Sequence, residues 1–346
     1  MFNKMILSQS AVENNIRFLK NVAGEKSLCI MVKANAYGHG LQEMVKLLSG
    51  KVQCFGVATQ EEALLLRQID QRTRVIVFGR VRDCSLMIER NIDFTVFSYN
   101  MLKEVLLKTK ASLYAPALHL AVNSGMNRYG FRDEIEWQKA IKLLKKNNIC
   151  PQGVFTHFSS LTTDKAYTLN QKKIFDKFLA ALPASWKFLT HVGGGYSLFE
   201  NCNYDMFRVG MMAYGYGHEK VKPIMKVVSE IVDVSFVKKG EHVGYLCSYT
   251  AQDDTTVAVV PIGYGDGLTR SLSNNLFVKV KGKTVKNVGN VCMDCFMIDV
   301  SGIDVKEGDK VEVFWDAKNW SELEGTSTYE VCTNFAKMRG ERVIIE

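Results

Sequence analysis

Eight short apolar runs alternate with amphipathic stretches, and a tail of β-branched and aromatic runs broken by glycines follows them. Together they predict an α/β chain, a (β/α)8 barrel followed by a mostly antiparallel β domain. The runs are Leu28 to Val32, Cys54 to Val57, Val75 to Phe78, Phe94 to Phe97, Leu118 to Val122, Val154 to Phe158, Phe188 to Val192 and Phe207 to Met212. Such short, nearly continuous apolar runs suit strands buried on both faces. Asn14 to Lys20, Gln60 to Arg67 and Trp137 to Lys146 carry helical spacing instead. Parallel strands need crossover connections, so strands alternating with helices give βαβ units. An open doubly wound sheet is the structural alternative.

After Pro223 the pattern changes. Val227 to Val237, Thr256 to Val260, Leu276 to Val280, Phe296 to Val300 and Lys310 to Phe314 predict antiparallel strands. Lys238 to Glu241 and Val280 to Lys283 read as hairpin turns. The expected domains are therefore 1–220 and 221–346, with no internal repeat.

The 346 residues carry a formal charge of +8, but the basic residues are dispersed among acids rather than gathered into an aromatic-basic stripe. That argues against a nucleic-acid partner and fits small anionic ligands. No window approaches the roughly 18 continuous apolar residues of a membrane span, and the opening residues lack the apolar stretch of a secretory signal. A cytoplasmic protein is expected. Nine cysteines, an odd number, give no disulfide framework, and the single C-x-x-C pair, Cys292 and Cys295, has no second pair to complete a zinc ribbon. No metal is expected.

Lys33 ends the run Leu28 to Val32, where a buried strand delivers its amine into a partly desolvated site. A neutral amine there forms a Schiff base with a carbonyl; a lysine reaching out to solvent is the plain alternative. The flanking residues decide between them. Val32-Lys33-Ala34-Asn35-Ala36-Tyr37-Gly38-His39-Gly40 resembles the pyridoxal-phosphate attachment sequence of alanine racemases, and the resemblance runs through nearly the whole chain. It implies pyridoxal 5′-phosphate as cofactor, and opening residues that pack with the second domain.

Loops after the seventh and eighth strands of a barrel commonly hold a phosphate through backbone N–H groups. Here they carry His191-Val192-Gly193-Gly194-Gly195-Tyr196-Ser197 and Arg208-Val209-Gly210-Met211. Three glycines let the backbone approach an anion closely. The resemblance implies Gly194, Gly195, Gly210, Met211, Tyr37 and Tyr329 as the phosphate cradle. It also shows a departure: the family usually has Asn-Ser where this chain has Gly194-Gly195, leaving Ser197 or backbone amides as substitutes. Arg208 matches the arginine facing the pyridine nitrogen. An arginine stays protonated, so it donates to an unprotonated ring nitrogen and weakens the ring as an electron sink. His157 matches the histidine near the ring, hydrogen-bonded to that arginine.

Racemisation removes a proton from one face of the alpha carbon and delivers one to the other, which calls for two acid-base groups. The resemblance implies Lys33 for one face and Tyr245, from the partner subunit of a homodimer with shared sites, for the other. Tyr249 competes with Tyr245, but Ser248-Tyr249-Thr250-Ala251 matches the family's next segment without a gap. Arg128 and the backbone N–H of Met293 match the substrate-carboxylate contacts, and Tyr264 matches a residue lining the entrance. Ala121 stands where many members have a carbamylated lysine, with a chloride, a water or a nearby carboxylate as replacements; Asn123 stands where aspartate is common.

The function implied is interconversion of L- and D-alanine, supplying D-alanine for peptidoglycan. The alternatives are a racemase for another amino acid such as serine or lysine, a non-catalytic cofactor-binding or carrier protein, and a decarboxylase on a related barrel.

Overall fold

The computed structural model describes residues 1–200 and 202–346. The chain divides into two compact units, one of Asn15–Lys33 and Val45–Ala213, the other of Met1–Asn14, Ala34–Met44 and Tyr214–Glu346.

The first unit is a closed parallel barrel of Ser27–Met31, Cys54–Val57, Arg74–Val77, Asp93–Val96, Leu118–Ala121, Gly153–His157, Leu189–Gly193 and Met206–Val209. Closure is visible at Cys29, which lies opposite Cys54 on one side and Arg208 on the other. The open-sheet alternative is thereby excluded. Most strands begin one residue before their apolar run. The last is shorter than its run, because Ala213 N–H bonds back to Gly210 carbonyl at 2.9 Å and the chain turns through Met211–Tyr214.

The barrel helices start at polar caps that apolar spacing does not reveal. Glu134–Lys146 begins three residues before the expected Trp137, because Asp133 accepts from Glu136 N–H at 2.7 Å. Its buried face is Trp137, Ala140, Ile141 and Leu144, one stripe of a 3.6-residue period. Fully burying a large side chain such as Trp137 contributes roughly 1.5–3 kcal/mol, and its indole N–H donates to Phe178 carbonyl at 3.1 Å. Gln60–Ile69 opens with a reciprocal box in which Glu62 N–H donates to Thr59 Oγ1 at 3.2 Å and Thr59 N–H to Glu62 Oε2 at 3.3 Å.

The second unit holds a six-stranded sheet in the order Lys283–Lys286, Phe277–Val280, Lys310–Phe314, Met225–Glu230, Lys4–Ser8, Glu341–Ile345. Only the last pairing is parallel. The opening strand Lys4–Ser8 thus sits between Met225–Glu230 and the carboxyl-terminal strand. A three-stranded sheet joins Asp233–Val237, Thr255–Val260 and Phe296–Asp299.

Two expectations for this region are corrected. Val227 to Val237 is not one strand: Ile231 N–H goes to Asp309 carbonyl and Val232 N–H to Val259 carbonyl, so consecutive residues hand the chain from one sheet to the other. Lys238 to Glu241 is a turn but not a hairpin, because the strand before it pairs with Thr255–Val260 and His242–Val243 pairs with Tyr249–Thr250. Val280 to Lys283 is a two-residue hairpin, with Lys281 at φ 48° and Gly282 at φ 77°, the left-handed pair that matches strand twist. Among the described residues no helix is long and apolar enough to cross a membrane.

Candidate active site

In the barrel unit, Lys33 follows the first barrel strand. Its ammonium is held below the ordinary lysine range first by partial burial and then by the Arg128 charge, with Arg208 adding to the effect and Glu62 opposing it. Arg208, on the eighth strand, is buried against the rings of Phe78 and Phe155, its guanidinium 5.0 and 4.7 Å from their centres. Its Nη1 bonds His191 Nδ1 at 2.8 Å and its Nη2 donates to Thr156 carbonyl at 2.7 Å. Burial pushes its pKa down to about 9, which still leaves it protonated at neutral pH.

His157 ends the sixth strand and is held neutral, its pKa pushed down to about 3 by burial and by the charges of Arg208, Arg128 and Lys33. Between these side chains the backbone comes close: a Cβ at Gly193 would lie 2.2 Å from His157 Nδ1 and 2.6 Å from Arg208 Nη2. Gly194 adopts φ 107°, and the turn Gly195–Phe199 follows.

Arg128 is exposed on the loop after the fifth strand, over the Tyr129 ring. Asn123 shapes that loop: its Oδ1 accepts from Gly125 and Asn127 N–H at 3.1 and 3.0 Å, while its backbone bonds Phe131. An aspartate would cap the same two N–H groups, so the departure at Asn123 keeps the loop's geometry.

In the second unit, Ala34, Asn35, Ala36 and Tyr37 run left-handed, with φ between 51° and 53°. This costs about 1–2 kcal/mol per residue. Gly38 N–H to Ala34 carbonyl and Gly40 N–H to Asn35 carbonyl, both 3.0 Å, hold the turn, and Asn35 Oδ1 accepts from Leu41 N–H at 2.7 Å. The turn buries Tyr37 edge-on against Tyr214 at 5.2 Å and Tyr329 at 5.5 Å.

Tyr245 and Met293 are 67% and 54% exposed. Asn290 Nδ2 donates to Tyr245 carbonyl at 2.8 Å, which ties the tyrosine's turn to the chain leading into Met293. Tyr264 and Gly265 N–H donate to Cys292 and Met293 carbonyls at 3.0 and 2.9 Å. Arg339 bridges the buried Asp266 and the exposed Asp294, with Nη2 to Asp266 Oδ2 at 2.8 Å and Nη1 to Asp294 Oδ1 at 2.7 Å.

Each unit therefore gathers its own share of the expected residues: Lys33, Arg128, His157, Gly194, Gly195, Arg208, Gly210 and Met211 in the barrel unit, and Tyr37 with Tyr329, and Tyr245 with Tyr264 and Met293, in the other. One detail differs from expectation, and a second bears on an alternative left open. Arg208 bonds His191, not His157, because His191 on the neighbouring strand points its Nδ1 at the guanidinium. Ser197 spends its proton on Gly194 carbonyl at 2.5 Å and is buried, so the hydroxyl is directed into its own loop. Glu62, His191 and Tyr214 carry no motif signal of their own in the sequence, although His191 opens the glycine loop.

A closed barrel with a half-buried lysine after its first strand and a buried arginine on its eighth, together with an antiparallel β region, defines the class as an α/β-barrel protein with a second, β-rich unit. Comparison with known proteins narrows this. Residues 7–218 match the family model "Alanine racemase, N-terminal domain" and residues 224–344 match "Alanine racemase, C-terminal domain". The alanine racemase of Thermodesulfovibrio yellowstonii is 33% identical over 95% of this chain and 93% of its own, and that of Helicobacter pylori 31% over 97% of each. Among solved structures, the alanine racemase of Clostridium difficile superposes with a TM-score of 0.91 at 30% identity, covering 100% of this chain and 96% of that one. The E. faecalis enzyme gives 0.92 at 28%, covering 99% and 98%. The chain belongs to the alanine racemase family, a family of isomerases.

Proposed function

We propose that this chain interconverts L- and D-alanine in the cytoplasm, as a homodimer with shared active sites, and supplies D-alanine for peptidoglycan. The observation that carries the reading is Lys33, whose amine is partly desolvated and made more acidic by burial and by the Arg128 and Arg208 charges. That donor set fits pyridoxal 5′-phosphate: an amine made more acidic for the aldehyde, guanidinium groups for anions, and a backbone at Gly193 too close to its neighbours for any side chain.

When bound, the cofactor draws electrons from the alpha carbon of an amino acid and acidifies its C–H bond. Lys33 Nζ would hold it, with Tyr37, Tyr329, Gly194, Gly195, Gly210 and Met211 at the phosphate. Arg208 would donate to the pyridine nitrogen, with His157 beside the ring. Arg128 and the Met293 N–H would orient the substrate carboxylate, and Tyr264 would narrow the approach. Lys33 Nζ exchanges a proton on one face of the alpha carbon, and Tyr245 Oη of a second copy exchanges one on the other. Residues 1–220 thus supply the cofactor-bearing domain, and 221–346 reach the partner's site.

The test is racemisation of a panel of single-enantiomer amino acids by the purified, cofactor-loaded protein, followed by chiral chromatography. Selective conversion of alanine in both directions is the expected result. Cofactor bound with no conversion of any amino acid would favour a carrier, and preferential conversion of serine or lysine would reassign the substrate.

A further inference from the structure

Four side chains inside the barrel form one hydrogen-bonded line. Arg208 Nη1 meets His191 Nδ1 at 2.8 Å, His191 Nε2 meets His119 Nδ1 at 2.8 Å, and His119 Nε2 meets Asp93 Oδ2 at 3.0 Å. All four are buried, at 5%, 0%, 0% and 5% exposure. Arg74 closes the far end, with its Nε 3.3 Å from Asp93 Oδ2.

The ends dictate the direction. A guanidinium only donates, so His191 Nδ1 accepts and its proton sits on Nε2; that proton faces His119 Nδ1, which must also accept. His119 then carries its proton on Nε2 and donates it to Asp93, a carboxylate that only accepts. Every bond has one donor and one acceptor, and both imidazoles are neutral. Burial lowers the pKa of both histidines, in agreement with neutral rings.

The line crosses from the fifth barrel strand to the seventh over the sixth, and the sixth has a glycine there. A Cβ at Gly153 would lie 2.3 Å from His119 Nδ1 and 3.1 Å from His191 Nε2. The gap is therefore part of the arrangement.

Resting on the proposed function, we infer that Asp93 is a positioning residue for Arg208. Acting through His119 and His191, it holds His119 in the tautomer whose bare Nδ1 receives the His191 Nε2 proton, and so anchors the ring on which the guanidinium rests before it meets the pyridine nitrogen. Asp93 is the carboxylate on which this line ends, and its charge reaches the arginine through two neutral rings. Thr156 carbonyl, on Nη2, restrains the other arm of the fork.

The experiment uses the full-length chain with 15N-labelled histidine, observed by long-range 1H–15N spectra with and without bound pyridoxal phosphate. The wild-type signals of His119 and His191, assigned through His119→Gln and His191→Gln, are expected to show protonated Nε2 and bare Nδ1 even without cofactor. In Asp93→Asn, which keeps the side-chain volume but can turn an NH2 toward His119 Nε2, the end of the line no longer has to accept, and the His119 tautomers should mix. The same variant should bind pyridoxal phosphate about tenfold more weakly, as outer-shell partners of metal-bound histidines do when lost, with a shifted absorption band of the bound cofactor. A protonated Nδ1 on wild-type His191 would overturn the inference, and so would an Asp93→Asn protein with unchanged tautomers and affinity. A wild-type chain with the expected tautomers but no cofactor binding would instead overturn the proposed function and leave the hydrogen-bonded line standing.

Discussion

The two units hold their candidate residues in opposite ways. In the barrel unit, Arg208 is buried against two aromatic rings and bonded to His191 and Thr156, and the backbone at Gly193 leaves no room for a methyl group. In the other, Tyr245 and Met293 stand exposed, and what fixes them is the backbone, through Asn290 and the Gly263–Gly265 turn. A ring nitrogen is best met by a guanidinium whose direction is decided beforehand, because rigid placement avoids reorganisation during reaction. A group that serves another copy's site must stay on the surface until the copies meet. The contrast thus supports dividing the chemistry between a preorganised barrel and a presented tyrosine.

The strongest way to break this comparison is at Lys33. Lys33→Ala should lower racemisation by about 10⁴-fold or more, since it removes both a nucleophile and an acid-base group; a rate within tenfold of wild type would end its assignment. Tyr245→Phe comes next, with kcat expected to fall about 10²- to 10⁴-fold while Tyr249→Phe stays near wild type. In deuterated water, exchange of the alpha proton starting from one enantiomer should survive in Tyr245→Phe, because Lys33 is intact. Equal loss of exchange from both enantiomers would contradict opposed bases.

Gly38→Ala probes the second unit's backbone rather than its chemistry. The glycine has φ 86°, and a Cβ would meet Cys332 carbonyl at 2.0 Å. Left-handed strain and overpacking together should cost about 2–4 kcal/mol, read as a lower urea midpoint. The smallest effect sharpens the barrel side. Glu62 favours the protonated form of Lys33, so Glu62→Gln should move the Lys33 limb of the kcat profile to lower pH. An unmoved limb would mean that the carboxylate does not act on the amine.

Much of the barrel was legible because burial on both faces leaves its mark in short apolar runs, and each of the eight expected runs overlaps an observed strand. Helix starts were less legible: the Asp133 cap lies outside the apolar stripe that reveals Trp137 to Lys146. The split of Val227 to Val237 was invisible, since β-branched residues look alike whichever sheet they join. The left-handed turn at Ala34 to Tyr37 was also hidden, because alanine favours the right-handed helix and bonds made by Gly38, His39, Gly40 and Leu41 hold the opposite hand.

By itself, the amino-acid sequence determined the order of strands and helices, the change to a β region after Pro223, and the place of Lys33 at the end of a buried strand. These follow from local periodicity and from a motif contiguous in the chain. Tertiary structure alone decided that Arg208 bonds His191 rather than His157, that Asp93 ends the same line of bonds, and that Gly153 makes room for it. Those residues are far apart in sequence, and only closing the barrel sets which side chains share its interior.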